Sequence, residues 1–289
     1  MSGAFSPFLE LFEPEEISAD KFRYRGPETR WKRVYGGLVI SQALAASNRT
    51  VTYDRRVHSL HAYFILPGDP AAPIVCEVDR LRDGRSFSTR HCRVIQHGQT
   101  IFVLTASYHV QEAGLEHMTP MPEVPAPELL ESFEQLQSRL RPGAARPHFE
   151  YFAGERPIEF RPVDPARFFP PGERRADASQ SVWFRTAHPL PDSQEVHSCA
   201  LAYASDMTIL DSTLVPHRKS VTDGTLQPAS LDHAIWYHRD FRADDWLLFV
   251  QDSPNAGEAR GLAIGRIYSR HGTLVASVAQ EGLIRPRQT

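Results

Sequence analysis

The chain has 289 residues, of which 41% are hydrophobic and 23% charged, enough for one sizeable core or two ordinary ones. A formal net charge of -3 removes the overall positive field expected of a nucleic-acid binder. The longest apolar runs, Ile101 to Leu104 and Trp246 to Val250, are too short to cross a bilayer as helices, so no membrane insertion is expected.

Taken in chain order, residues 1–10 lack a basic segment followed by an apolar run, which argues against a secretory signal. Gly36-Gly37 opens a predicted helix over Leu38 to Asn48, whose Leu38, Val39, Leu44 and Ala45 can be arranged on an apolar face. His61-Ala62-Tyr63-Phe64 lies in an extended aromatic run, and Pro73 to Leu81 follows. Ser86 to Val110 predicts two strands turning at Gln96-His97-Gly98-Gln99. Prolines then crowd Thr119 to Glu128 and Arg141 to Pro171, which argues against a continuous element, with a short helix from Leu129 to Leu140 between them. The expected division is a first domain over 1–118, a proline-rich linker with a short helix over 119–179, and a second domain over 180–289.

The second half repeats the order of the first. Val196 to Thr208 predicts a helix of small residues, His233-Ala234-Ile235-Trp236 an extended run, and Trp246 to Gln251 a strand. Ala259 to Glu281 predicts a hairpin turning at Arg270-His271-Gly272-Thr273. Matching Gly98 with Gly272 overlays the two hairpins, and His61 to Gly98 spans 37 residues against 39 from His233 to Gly272. Two copies of a helix followed by an antiparallel sheet predict an α+β protein built by duplication. The last residues, Arg287-Gln288-Thr289, are no peroxisomal Ser-Lys-Leu address. Cys76, Cys92 and Cys199 are far apart and form no CxxC pair, so reduced thiols in a cytoplasmic setting are expected, without a metal site.

Three residues of the second half could carry chemistry. Asp206 follows the run Cys199 to Ser205 and reads either as a helix-terminal, solvent-facing aspartate or as a base that orients water. Ser230 reads either as a strand-start cap or as a hydroxyl that holds the attacking water, and no Gly-x-Ser-x-Gly elbow surrounds it. Gln280 alternates with Leu274, Ala276 and Val278 on one strand face, where an amide implies an exposed edge or a partner in a cleft. His58, His61, His233 and His238 accompany the aromatic strands, where packed histidines outnumber catalytic ones. No phosphate-loop or dinucleotide fingerprint is present.

Val34-Tyr35-Gly36-Gly37, the run from Val57 to Asp69 and the run from Leu81 to Phe87 resemble N-terminal signatures of the acyl-CoA thioesterase II family. Tyr203-Ala204-Ser205-Asp206, Ser230 to Trp236 and Val278 to Gly282 add its C-terminal ones, in family order. The resemblance implies a tandem (double) hotdog fold, each half a curved antiparallel sheet around a central helix. It implies hydrolysis of fatty acyl-CoA to fatty acid and coenzyme A, with Asp206, Ser230 and Gln280 activating water and no cofactor required; the family allows serine or threonine at the middle position. Gly37 and His58 are the candidate substrate-binding residues, and the Gly36-Gly37-Leu38 turn is a candidate source of backbone donors to the thioester oxygen. The first half lacks the Asp-Ser-Gln set, which implies one competent site and one altered copy. Acyl-CoA and coenzyme A are the expected partners, with a homo-oligomer also expected. The alternatives are a hotdog-fold acyl-CoA hydratase or dehydratase, which would need a His-Asp or His-Glu arrangement on a hotdog helix, and a noncatalytic acyl-CoA-binding protein.

Overall fold

The computed structural model describes residues 7–26, 33–140, 157–168, 178–221 and 224–287. The first half runs α1 (Pro7–Glu10), β1 (Glu15–Ser18), β2 (Lys21–Tyr24), α2 (Gly36–Asn48), β3 (Arg55–Phe64), β4 (Ile74–Asp83), β5 (Phe87–Gln96) and β6 (Gln99–Val110). A 3-10 turn (Pro127–Leu129) and α3 (Phe133–Leu140) follow, then β7 (Ile158–Pro162), α4 (Pro165–Phe168), β8 (Ser179–Thr186) and α5 (Gln194–Ser205). A 3-10 segment (Ile209–His217) leads to β9 (Leu226–Ser230), β10 (Asp232–Tyr237), β11 (Leu247–Gly257), β12 (Arg260–Ser269) and β13 (Leu274–Pro286).

The described strands form one antiparallel sheet in the order β1-β2-β4-β5-β6-β3-β10-β13-β12-β11-β8-β7, with β9 added to the far end of β13. Read inward from its two edges, that order is the same list of roles twice. Each half supplies two strands before its buried helix and four after, counting β9 and β10 as one bent strand. The halves meet where β3 pairs with β10, from Asp232 opposite Tyr63 to Trp236 opposite Ser59.

Both buried helices lie against this sheet and against each other, and one apolar core cluster joins the two halves. In α2 every residue from Gly37 to Asn48 is buried, so the expected single apolar face is in fact burial all round, as its run of small and aliphatic side chains permits. Gly37 makes the helix contact close: a Cβ there would collide with the Tyr203 carbonyl oxygen and come within 2.6 Å of the Tyr35 hydroxyl.

The predicted hairpins form, with different turns. His97 and Gly98 both take positive φ, 51° and 74°, in the two-residue loop between β5 and β6, the geometry that matches sheet twist. The loop between β12 and β13 has four residues, with Gly272 at φ 89°. The echo between His61-Ala62 and His233-Ala234 is out of phase: His61 is exposed and packs edge-on against Trp236, whereas His233 is buried. Strand face follows pairing register and not the match of letters. A register shift between Ile267 and Tyr268 likewise separates Leu274 from Ala276 and Val278, with which sequence alternation grouped it. Leu274 joins a second cluster with Trp183, Trp246, Leu248 and Tyr268.

The expected linker over 119–179 differs in three ways. Ile158–Pro162 is the edge strand β7, paired with β8, so the sheet of the second half begins well before residue 180. Proline at 162 marks the stretch as loop in sequence, but an edge strand tolerates it because one side needs no ladder donor. Met121, Val124 and Leu130 pack on the second cluster, and the Trp183 indole donates to the Pro125 carbonyl at 3.0 Å, so this part of the chain is a cover for the sheet. The single expected helix over Leu129 to Leu140 is two pieces, because a reciprocal cap starts α3 at Ser132: Ser132 N–H donates to Gln135 Oε1 at 2.7 Å and Gln135 N–H to Ser132 Oγ at 3.3 Å. The rest of the proline stretch from Arg141 to Pro171, apart from 157–168, lies outside the described residues.

Candidate active site

Helix α5 ends on Asp206, its C-cap residue. A carboxylate is disfavoured there, because the end of a helix is the negative pole of its dipole. The start of α2 offsets this from the other half of the molecule. Tyr35, the N-cap of α2, makes no side-chain cap, and the Gly37 N–H donates to Asp206 instead. Gly36 lets the carboxylate approach so closely that a Cβ on it would stand 2.6 Å from Asp206 Oδ2 and 2.9 Å from the Phe64 ring. Tyr35 holds the helices in register by donating from its hydroxyl to the Tyr203 carbonyl at 2.7 Å.

The second half brings two more candidates to the carboxylate. Ser230 ends β9, where the chain bends through Leu231 into β10, and its hydroxyl donates to Asp206 Oδ1 at 3.1 Å. Gln280, on β13 opposite Ala263 and 0% exposed, donates from Nε2 to Ser230 Oγ at 3.0 Å. Withdrawal from water raises the Asp206 carboxyl to about 6, against the lowering effect of its bonds to Ser230, Gln280 and Gly37. Asp206 keeps part of its surface open, and a carboxyl that titrates this close to neutrality can serve as a base.

Asp206, Ser230, Gln280 and the Gly37 backbone therefore converge. His58 does not: it bonds to Ser107 Oγ at 2.8 Å and packs with Phe87 and His109, six residues along β3 from Phe64, roughly 20 Å at about 3.3 Å per residue. Gly37 stands at the cluster with its N–H engaged by Asp206.

Two further residues complete the constellation: Ser205, and His233, one of the strand histidines for which the sequence favoured a packed role. The Gln280 side-chain carbonyl bonds with His233 Nδ1, and His233 Nε2 lies 2.9 Å from Ser205 Oγ. His233 is 1% exposed, and burial pushes its ring down to about 4, so it is neutral at physiological pH. Its neighbour Asp232 points elsewhere and accepts the Glu281 N–H at 2.7 Å. The available signal was the pairing of β10 with β13, which sequence alone does not supply.

The opposite end of the helix pair is built otherwise. α2 ends in Ser47-Asn48 where α5 ends in Ser205-Asp206, and the Asn48 amide is held by the Tyr108 hydroxyl at 2.9 Å and the Cys199 thiol at 3.7 Å. Overlaying the hairpins at Gly98 and Gly272 puts Ala106 where the other half has Gln280. Beside it Arg90 is 1% exposed and bonded to Asp83 at 2.7 Å and Thr50 Oγ1 at 2.8 Å. Among the described residues no cluster of His, Cys, Asp and Glu has the arrangement of a metal site, and no helix is long and apolar enough to cross a membrane.

The fold is of the hot dog class: a hot dog fold protein from Alicyclobacillus acidocaldarius superposes with a TM-score of 0.79 over 99% of this chain and 100% of that one, at 19% identity. The acyl-CoA thioesterase family pattern matches residues 148–283, and that of the acyl-CoA thioesterase N-terminal domain matches 27–109. Acyl-CoA thioesterase 2 of Haemophilus influenzae is 38% identical over 287 residues, 99% of each chain. The acyl-CoA thioesterase II TesB2 of Mycobacterium marinum is 39% identical with a TM-score of 0.79, covering 96% of this chain and 98% of that one. The chain belongs to the acyl-CoA thioesterase II family, a family of thioester hydrolases.

Proposed function

We propose that this protein is a tandem hotdog enzyme that hydrolyses fatty acyl-CoA, with Asp206 as the base. The observation that carries the reading is the convergence of Asp206, Ser230 and Gln280 by two hydrogen bonds, 3.1 and 3.0 Å, around a carboxyl raised to about 6. Asp206 takes a proton from water as the oxygen attacks the thioester carbonyl, with Ser230 and Gln280 holding carboxylate and water in line. The positive end of α2 faces the charge that develops on the carbonyl oxygen. When the intermediate collapses the C–S bond breaks, and the Asp206 carboxyl returns the proton to the sulfur. No metal and no covalent serine adduct is needed for this sequence of steps.

The strand order, repeated from the two edges to the β3–β10 seam, supports two hotdog units over 7–110 and 158–287. A His-acid pair on a buried helix, which a dehydratase needs, finds no counterpart beside Asp206 among the described residues. His197 of α5 instead accepts the Ala243 N–H on Nδ1 at 3.1 Å. Free, buried Cys76, Cys92 and Cys199 fit the proposed cytoplasmic setting. Exposed Tyr63, Leu81, Phe87 and Trp236 support self-association. A panel of saturated acyl-CoAs assayed for free thiol, with Asp206→Asn as control, tests the activity. Release by the wild type and release at least about 10²-fold slower by the variant is expected, and equal release by both overturns the assignment.

A further inference from the structure

Ser205, His233, Gln280, Ser230 and Asp206 form one continuous hydrogen-bonded chain, yet only the last three belong to the proposed hydrolytic set. The protons in such a chain can be counted. Ser230 has a single proton, and it stabilises an ionised Asp206 only if it is donated to Asp206 Oδ1. Ser230 Oγ must then accept from Gln280, so the amide NH2 of Gln280 faces Ser230 and its carbonyl faces His233. A carbonyl at that position demands N–H on His233 Nδ1.

The other tautomer reverses everything downstream. With the proton on Nε2, His233 donates to Ser205 Oγ, whose own proton turns to the Ala202 carbonyl 3.0 Å away. The bare Nδ1 then calls for the amide NH2 of Gln280, the Gln280 carbonyl swings to Ser230, and Ser230 donates to it, turning a lone pair toward the Asp206 carboxylate. Ser205, with one proton and two acceptors at 2.9 and 3.0 Å, is compatible with either arrangement, so at this end the imidazole sets the direction, while at the other end the bond from the Gln280 amide to the acceptor-only Asp206 carboxylate favours the first of the two.

We infer that His233, as the neutral Nδ1–H tautomer, is a positioning residue that fixes the Gln280 amide so that Ser230 aims its proton at Asp206. The inference rests on the reading of Asp206 as the base. His233 and Gln280 are 1% and 0% exposed, so the relay is shielded from water that would otherwise satisfy either orientation. His233 itself stands on β10 opposite Ala62 of β3, at the seam between the halves.

The test uses the full chain and a saturated acyl-CoA. His233→Leu is expected to lower kcat by about 10- to 100-fold while KM changes by less than about threefold, the signature of lost alignment. His233→Asn puts an amide N–H where Nδ1 was and recovers most of that loss; His233→Gln, whose amide reaches the Nε2 position, does not. Combining His233→Leu with Gln280→Ala makes turnover no worse than Gln280→Ala alone, because one acts through the other. Losses that multiply, or an Asn variant as slow as the Leu variant, overturn the inference. A long-range 1H–15N spectrum of the wild type, with the His233 signals assigned by their loss in His233→Asn, decides the matter even if His233→Leu does not fold. A neutral Nδ1–H ring supports the relay, and an Nε2–H or doubly protonated ring overturns it. Full turnover in Asp206→Asn would instead remove the base assignment, a result separable from the tautomer.

Discussion

Asp206 is held where a carboxylate is least at ease, at the end of one helix and partly out of water, and the start of another helix stabilises it in part. A carboxyl with a pKa of about 6 makes kcat/KM rise with pH through about 6 and level above it, since the protonated form cannot accept a proton from water. A pH profile on a chain-length-matched substrate checks this, and a flat profile from pH 5 to 8 would contradict it. Stability has the opposite sign. The folded pKa lies above the usual value of 3.8, so the native state favours the protonated form, and this contribution is full below pH 3.8 and lost as pH rises through 6. Asp206→Asn should therefore lower turnover by about 10²- to 10⁴-fold. It should also raise Tm at pH 8 by about 2–4 °C, a gain that disappears below pH 4. Sequence motifs pointed to Asp206, Ser230 and Gln280 together through a family resemblance, while each residue alone had an ordinary explanation. Their convergence depends on contacts 24 and 50 residues apart along the chain, which local patterning does not contain. His58 lies apart from that cluster for the same reason, because a strand residue's distance from it is set by the sheet.

Elements whose signal is local were the legible ones. The hairpins β5–β6 and β12–β13 follow from alternation and their turn glycines, and α2 and α5 from runs of small and aliphatic residues. β7 was missed because its proline reads as a breaker until the strand is known to be an edge. The start of α3 was written in the sequence as Ser132 and Gln135, three apart, and was overlooked. Ser132→Ala should cost about 1 kcal/mol of stability, measurable by denaturant titration, without changing kcat. The cover over the second half's sheet makes a different prediction. Trp183→Phe keeps an aromatic ring but removes the bond to the Pro125 carbonyl, so hydrogen exchange should accelerate around residues 118–130 and remain unchanged in β13.

The two halves share a sheet, a helix pair and a core cluster, so neither has an outer boundary of its own at β3 and β10. Calorimetry should record one unfolding transition for the whole chain; two separated transitions would mean the seam is weaker than its pairing indicates. An order of elements that repeats between the halves was legible in the sequence. How the halves meet was not, because the pairing of β3 with β10 joins residues about 170 apart, and the echo of His61 with His233 even suggested the wrong phase.

The carboxylate, hydroxyl and carboxamide come from one half, and the glycines that admit the carboxylate come from the other. Had those halves been separate molecules, the working centre would fall apart on dilution. Covalent continuity holds each at an effective concentration on the order of millimolar to its complement, whatever the amount of protein in solution. Specific activity should accordingly persist into the nanomolar range.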